Sequence, residues 1–204
     1  GGKGTGLDGG WRVPMIIRWP GKVPAGVINN EIISGLDWFA TFVAAAGNPN
    51  ITAELLTGKQ LGDKTYKVHL DGYNQMDLIT GKGPSARKEI FYFTESTLAA
   101  VRIDDYKYRF TDQPGGWLGN TVKVDWPILC NLRLDPLERT TMNGSMMYGN
   151  WFMYQFWRFV FVQGVVAKLG ESFVEYPPMQ PGASFNLSAV KAQIEKAIAA
   201  HTGH

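Results

Sequence analysis

The feature that most constrains the fold is a pair of β-type runs separated by only two residues. The runs Leu98–Ile103 and Tyr106–Phe110 are rich in β-branched and aromatic residues, and Asp104-Asp105 joins them. So short a connection is typical of an antiparallel hairpin. In the second run aromatic and basic side chains alternate, which predicts a half-buried strand with Lys107 and Arg109 on the face opposite the aromatic rings.

Two further runs extend this sheet, and an aromatic-rich stretch follows it. Glu89–Glu95 precedes the hairpin, and Ile128–Leu134 follows it and ends at Asp135-Pro136. Met146–Val166 predicts an amphipathic helix with a wide apolar face, packed either on the sheet or against a part of the protein outside this chain. Its uninterrupted apolar lengths fall far short of the ~20 residues of a membrane span, so no span is expected. A subunit contact through this helix, giving a homo-oligomer, stays open.

The N-terminal part of the sequence predicts helices and loops instead of strands. Leu36–Ala46 has helical periodicity, and its apolar side chains predict a helix that packs in the core. The following segment reads as a polar surface connection with a short helical piece at Ala53–Leu56. Gly, Pro and Ser cluster at 81–87, so we place a boundary there and expect two units, 1–87 and 88–204. The predicted core face of the first helix consists of Leu36, Phe39, Phe42, Val43 and Ala46.

The C-terminal end predicts a linker and a last helix. Residues 175–182 read as an extended Pro-rich linker. Beyond it, apolar residues at helical spacing indicate a terminal helix docked on the sheet, with His201 and His204 in a frayed tail. The apolar face of that helix consists of Leu187, Val190, Ile194 and Ile198.

A single cation lies in a glycine-rich loop at the start of the chain. Glycines at positions 1, 2, 4 and 6 surround Lys3, so that backbone and ammonium can both approach a small anion. Val13–Trp19 is an apolar run that reads as a buried strand behind this loop. The alternative is that Lys3 is a solvated surface charge, as most single lysines are.

Charge and cysteine content exclude several classes of function. The net charge of +2 is small and the basic residues are scattered, which argues against nucleic-acid or membrane-surface binding. Cys130 is the only cysteine, so neither an intrachain disulfide nor a Cys-based zinc site is expected.

The sequence lacks an initiator Met and a recognisable leader, so we expect a fragment of a longer protein. The compartment stays open between periplasmic or secreted and cytoplasmic.

Several ordered blocks resemble one known family. Lys3-Gly4-Thr5, Asp8-Gly9-Gly10, Arg12-Val13-Pro14 and Trp19-Pro20-Gly21 together resemble the KGT...EGG.RVP...WPG signature of the type I sulfatases. Asp8 stands where that family usually has Glu. The later AVRIDDYKY and NLRLDPLER runs resemble further segments of the family, so the resemblance covers roughly positions 1–140.

This resemblance implies a fold and a reaction. The implied fold is α/β: residues 1–87 would be the C-terminal part of an alkaline-phosphatase-like sulfatase domain, and 88–204 a small α+β subdomain with an antiparallel sheet and packed helices. Sulfatases hydrolyse sulfate esters, and the lysine of the KGT motif binds the substrate's sulfate, a catalytic and substrate-binding role that the resemblance carries onto Lys3.

The same resemblance implies cofactors that this chain does not supply. Sulfatases use a formylglycine made from Cys or Ser in a Cys/Ser-X-Pro/Ala-X-Arg motif, and a divalent cation, usually calcium. Cys130 begins Cys-Asn-Leu-Arg, which does not fit that motif, and we expect it to pack in the sheet. We therefore expect no cofactor or metal in this chain, and an N-terminal sulfatase portion as the partner that carries both.

Other readings stay open beside this one. The chain could be a non-catalytic binding or structural module derived from a sulfatase, or part of a related phosphatase or phosphonate hydrolase. His69 is expected to be a structural histidine. Asp135, Glu138 and Arg139 are expected to form a turn and a surface ion pair rather than a catalytic cluster.

Overall fold

The computed structural model of the chain describes residues 2–140 and 146–177. The N-terminal part consists of short helices and a small hairpin joined by long irregular segments, and a four-stranded sheet with two covering helices follows it. The described helices and strands are, in chain order, α1 (Asp37–Ala45), α2 (Ile51–Thr57), β1 (Lys59–Leu61), β2 (Lys64–Tyr66), α3 (Met76–Ile79), β3 (Glu89–Thr94), β4 (Thr97–Ile103), β5 (Tyr106–Asp112), β6 (Val122–Asn131), α4 (Met146–Tyr154) and α5 (Arg158–Glu175).

The main sheet is antiparallel with the strand order β3-β4-β5-β6. Its centre is the predicted hairpin, in which Val101 lies opposite Tyr108, and Tyr108 lies opposite Leu129 of β6. Asp104 adopts a φ of 50°, the left-handed conformation that a tight turn requires and that Asp tolerates. The prediction of this sheet is confirmed, but the bounds of the last strand were wrong: β6 begins at Val122 instead of Ile128 and ends at Asn131 instead of Leu134.

Helices α4 and α5 cover one face of the sheet. Tyr148, Phe152 and Val162 are buried against Val101, Tyr108 and Leu129. Packing on the sheet is therefore confirmed, but the prediction of one continuous helix over 146–166 is wrong. The chain turns at 155–157, where Arg158 donates to the side chain of Gln155 at 2.6 Å, and the bend lets side chains of both helices reach the sheet.

None of the helices within the described ranges combines the length and apolar character needed to cross a membrane. Association of two copies through α4 and α5 stays a prediction.

A second, smaller core holds the N-terminal helices together. Ala40 of α1 and Ile51 and Leu55 of α2 are buried there. The helix α1 is confirmed. Of its predicted core face, Val43 packs against this core, but the prediction is wrong for Leu36, Phe39 and Phe42, whose side chains are between 55% and 64% exposed, and for Ala46, which is also exposed. The segment predicted as a surface connection contains the expected short helix α2 and also the β1-β2 hairpin, which the sequence did not indicate.

A buried ion pair explains why α1 turns a polar side inward. Asp37, which has no exposed surface, accepts hydrogen bonds from Arg87 at 2.6 to 3.1 Å and from the backbone N–H groups of Ser34 and Tyr73. Burial alone would raise the pKa of Asp37, but these hydrogen bonds outweigh it and the pKa is lowered. Because α1 must present Asp37 to Arg87, its aromatic side chains point outward. The proposed boundary at residue 87 stays a prediction.

The apolar run after the N-terminal loop is not the buried strand that its composition predicts. Residues 12–19 are irregular, and Val13 and Ile16 are 78% and 96% exposed. A strand needs a neighbour for its N–H and C=O groups, and within the described ranges no strand pairs with this run. The predicted terminal helix, most of the Pro-rich linker, and both tail histidines lie outside the described residues.

Candidate substrate-binding loop

The glycine-rich loop has a defined shape that depends on Thr5 and on two glycines. The hydroxyl of Thr5, which is buried, donates to the carbonyl of Gly2 at 2.7 Å, and the indole N–H of Trp11 donates to the carbonyl of Thr5 at 3.0 Å. Gly4 has a φ of +74°. A side chain at Gly10 would place its Cβ 2.5 Å from the carbonyl oxygen of Gly2. The glycines are therefore required for close backbone approach.

Lys3 lies at the exposed tip of this loop. Its Nζ is 5.0 Å from the centre of the Trp117 ring, a cation–π contact. Across the described part of the chain, no carboxylate lies within ion-pair distance of Lys3. Lys3 is thus an exposed basic side chain beside an aromatic ring, and an exposed ammonium can bind a small anion.

The far end of the loop is anchored to the sheet through Asp8, which is buried. Its backbone N–H donates to Oε2 of Glu138 at 2.5 Å, and its Oδ1 accepts from the hydroxyl of Tyr92 at 2.6 Å. The ring of Trp11 contacts the ring of Tyr92 edge-on, with centres 5.3 Å apart. Backbone and side chain of Asp8 are therefore both fixed, by Glu138 after the main sheet and by Tyr92 of β3.

Lys107 of β5 lies beneath this anchor and has no exposed surface. Its Nζ is 3.1 Å from Oε1 of Glu138, 3.6 Å from Oδ1 of Asp8, and 4.0 Å from the centre of the Tyr92 ring. We call Asp8, Tyr92, Lys107 and Glu138 the anchor cluster. Burial lowers the pKa of Lys107, and the two carboxylates oppose that shift. Burial also raises the pKa of Tyr92, as do the charge of Asp8 and the hydrogen bond to it.

The anchor cluster corrects two predictions made from the sequence. The face of β5 that carries Lys107 and Arg109 is buried, because the N-terminal loop covers it, so the strand is not half-buried. Glu138 is 8% exposed and bonds to Lys107, so it is not part of a surface ion pair. The turn itself is confirmed, because Asp135 accepts hydrogen bonds from Glu138 and Thr140. Sequence spacing gave no signal that residues 8 and 138 meet.

The other singled-out residues do not join this loop. His69 is partly exposed and its Nδ1 is 3.2 Å from Asp71. Cys130 is buried in β6, as expected, and burial raises the pKa of its thiol to about 12. Over residues 2–140 and 146–177, no three or more His, Cys, Asp or Glu side chains are arranged to hold a metal ion. A cavity of about 410 Å³ near Tyr106 and Arg158 is lined by other elements.

Comparisons with known proteins find sulfatases among the relatives of this chain. No protein-family model matches the chain. The arylsulfatase of Hemicentrotus pulcherrimus is 34% identical over 113 residues, which are 55% of this chain and 18% of that protein. Arylsulfatase A of Bos taurus is 34% identical over 163 residues, which are 71% of this chain and 29% of that protein. This chain therefore spans less than a third of the length of these relatives.

The fold also has a solved counterpart. The crystal structure of the PsFucS1 sulfatase from Pseudoalteromonas sp. matches 89% of this chain and 34% of its own, with a TM-score of 0.65 and 25% sequence identity. This match confirms the predicted α/β class, with an antiparallel sheet and packed helices.

Proposed function

Because this chain is related to the type I sulfatases in sequence and in fold, we propose that it is the C-terminal portion of a sulfuric ester hydrolase. In this proposal Lys3 binds the sulfate group of the substrate. The nucleophile and the metal ion belong to a part of the protein outside this chain. The chain by itself is then inactive, because it holds one wall of the site and not the reacting groups.

The observation that carries the proposal is the setting of Lys3. Hydrolysis of a sulfate ester develops negative charge on the sulfuryl oxygens and on the departing bridge oxygen. A fixed ammonium near both stabilises that charge, and loss of one such preorganised contact costs about 10²-fold or more in rate. Lys3 is exposed, has an aromatic neighbour, and lies on a loop held by the buried anchor cluster. The loop that carries Lys3 is thus anchored, while the ammonium itself is exposed.

The exposed apolar surface of the N-terminal part supports a larger protein. The run 12–19 has no strand partner among the described residues, and the outward face of α1 carries Leu36, Phe39 and Phe42. Contiguous exposed apolar side chains of this kind indicate a surface that packs against other protein. An N-terminal sulfatase portion would cover both features, and the lengths of the relatives leave ample room for it.

Over the part of the chain that the structure describes, the residues do not fit the cofactors that the family resemblance implies. The thiol of Cys130 is buried within β6 and begins Cys-Asn-Leu-Arg, so it is unsuited to become formylglycine. Calcium requires several oxygen ligands, and the described residues offer no such group of side chains. We therefore propose that both belong to the remainder of the protein.

The test is turnover by the longer protein that carries this chain. Lys3→Ala is expected to lower kcat/KM for a sulfate ester by about 10²-fold, while Lys3→Arg, which keeps the charge, retains part of it. Lys22→Ala removes another exposed lysine and serves as the matched control. Equal activity of Lys3→Ala and the unsubstituted protein would refute the role of Lys3.

Two further measurements separate the alternatives. The longer protein is expected to hydrolyse sulfate esters faster than phosphate esters of the same alcohol; the reverse order would indicate a phosphatase or phosphonate hydrolase. The 204-residue chain is expected to show no turnover, and chelator-sensitive hydrolysis by this chain alone would contradict its incompleteness. The relatives named above are sulfatases, so a non-catalytic module is not favoured.

A further inference from the structure

Trp117 is an exposed aromatic residue on a rigid loop. It lies in a short 3-10 turn, Gly116–Leu118, between β5 and β6, and is 60% exposed. The side-chain amide of Gln113 donates to the carbonyls of Trp117 and Gly119 at 3.3 and 3.0 Å. Gly115 and Gly119 approach so closely that a Cβ on Gly119 would lie 2.5 Å from the Cα of Gly115. The indole is thus presented to solvent by a braced turn.

The Trp117 ring is also fixed against the Lys3 loop. The five-membered part of the indole lies against Gly4, and any side chain at Gly4 would collide with Cδ1 of the ring. Nζ of Lys3 is 5.0 Å from the ring centre. Two independent contacts therefore place a flat apolar surface directly beside the ammonium.

We propose that Trp117 is a specificity-determining residue that contacts the alcohol part of the substrate. The proposal rests on the proposed function of Lys3, because it uses Lys3 as the fixed point for the sulfate. A sulfate ester joins the sulfate to its alcohol through a single bridging oxygen, so the first carbons of the alcohol lie next to the group that Lys3 binds. Because the centre of the Trp117 ring is 5.0 Å from Nζ of Lys3, a sulfate bound by Lys3 would place these carbons near the indole.

The chemistry of the indole favours some alcohols over others. A flat aromatic surface gains dispersion and apolar contact from a ring laid against it, and a short linear chain offers far less area. An additional anionic group on the alcohol gains nothing from the π face. Trp117 therefore discriminates in favour of sulfate esters whose alcohol presents an aryl or sugar ring.

The experiment compares three substrates in the longer protein: an aryl sulfate, a monosaccharide sulfate and a short linear alkyl sulfate. Trp117→Ala is expected to lower kcat/KM for a ring-bearing ester about 3- to 10-fold more than for the alkyl ester, mainly through KM. Trp117→Phe, which restores an aromatic face, is expected to recover most of this difference. Trp126→Ala is the matched control, because Trp126 is 59% exposed and contacts Phe156 instead of the Lys3 loop.

Each outcome supports or overturns the proposed contact between Trp117 and the substrate. A ring-selective loss with rescue by Phe supports the proposal, and comparison of the aryl with the sugar ester identifies which ring is preferred. An equal loss for all three esters would mean that Trp117 serves only to hold Lys3, and unchanged ring-ester kinetics would mean that it does not contact substrate; both overturn the proposal. Failure of the proposed function is distinguishable, because the unsubstituted protein would then hydrolyse none of the sulfate esters, or Lys3→Ala would be as active as the unsubstituted protein.

Discussion

Removal of the Lys107 ammonium tests whether the anchor cluster holds the N-terminal loop in place. Lys107→Met keeps the length of the side chain but leaves the carboxylates of Glu138 and Asp8 buried beside an apolar group. Breaking a buried ion pair from one side typically costs about 3–5 kcal/mol, because the remaining charge is uncompensated. That is a large part of the ~5–15 kcal/mol that stabilises an ordinary domain.

The size of the loss in unfolding free energy distinguishes a buried counter-ion at Lys107 from a side chain that only fills space. If Lys107 mattered only as apolar bulk, Met would replace it with little loss, since swaps that conserve volume cost less than about 1.5 kcal/mol. The double variant Lys107→Met/Glu138→Gln removes most of the stranded charge and is expected to regain part of the loss. Its free energy of unfolding should therefore exceed that of Lys107→Met alone, a non-additive result for two residues in contact.

The assay is urea unfolding of the 204-residue chain followed by tryptophan fluorescence, because Trp11 lies against Tyr92 of the cluster. Lys123→Met, at an exposed position on β6, is the control and is expected to change the free energy of unfolding by less than about 0.5 kcal/mol. A loss of under ~1 kcal/mol for Lys107→Met, or a double variant weaker than the single one, would refute the assignment of Lys107 as a buried counter-ion.

Two further predictions follow from the buried groups. Burial alone would raise the folded-state pKa of Asp37, but hydrogen bonds from Arg87 and from the backbone lower it. Ionised Asp37 therefore stabilises the fold above its unfolded-state pKa, and this stabilisation is lost as the pH falls through its folded-state pKa. Asp37→Asn is expected to be less stable at pH 7 and to show a smaller loss between pH 5 and pH 2 in urea titrations, and an unchanged acid slope would contradict this. Because burial raises the pKa of Cys130 to about 12, the native chain is expected to react with a thiol reagent at pH 8 far more slowly than the urea-unfolded chain, and equal rates would show that the thiol is accessible.

Local signals in the sequence were sufficient for the sheet. The hairpin at Asp104-Asp105 depends on a two-residue turn between β-type runs, and both determinants are adjacent in the sequence. The helix α1 was likewise recognisable from its period. Its orientation was not, because the outward position of Phe39 and Phe42 results from the pairing of Asp37 with Arg87, a contact 50 residues away.

At the candidate site too, local sequence signals were readable and contacts between distant residues were not. Lys3 could be singled out from its glycine neighbours and the family signature, and its sulfate-binding role stays a prediction. The anchor cluster that holds the Lys3 loop could not be predicted, since alternation along β5 indicates only that Lys107 and Arg109 share a face. Whether that face meets water depends on the N-terminal loop lying over it, which brings Asp8 to Glu138 across 130 residues.

The contact between Asp8 and Glu138 also has a consequence for biosynthesis. The loop that carries Lys3 is translated long before β3, β5 and the turn at 135–138, whose side chains supply every member of the anchor cluster except Asp8. During synthesis the loop therefore lacks its counterparts and stays unfixed until residue 138 has left the ribosome. The Lys3 loop should thus become fixed only after Glu138 has been synthesised, and a nascent chain truncated before Glu138 should leave Lys3 without a defined position.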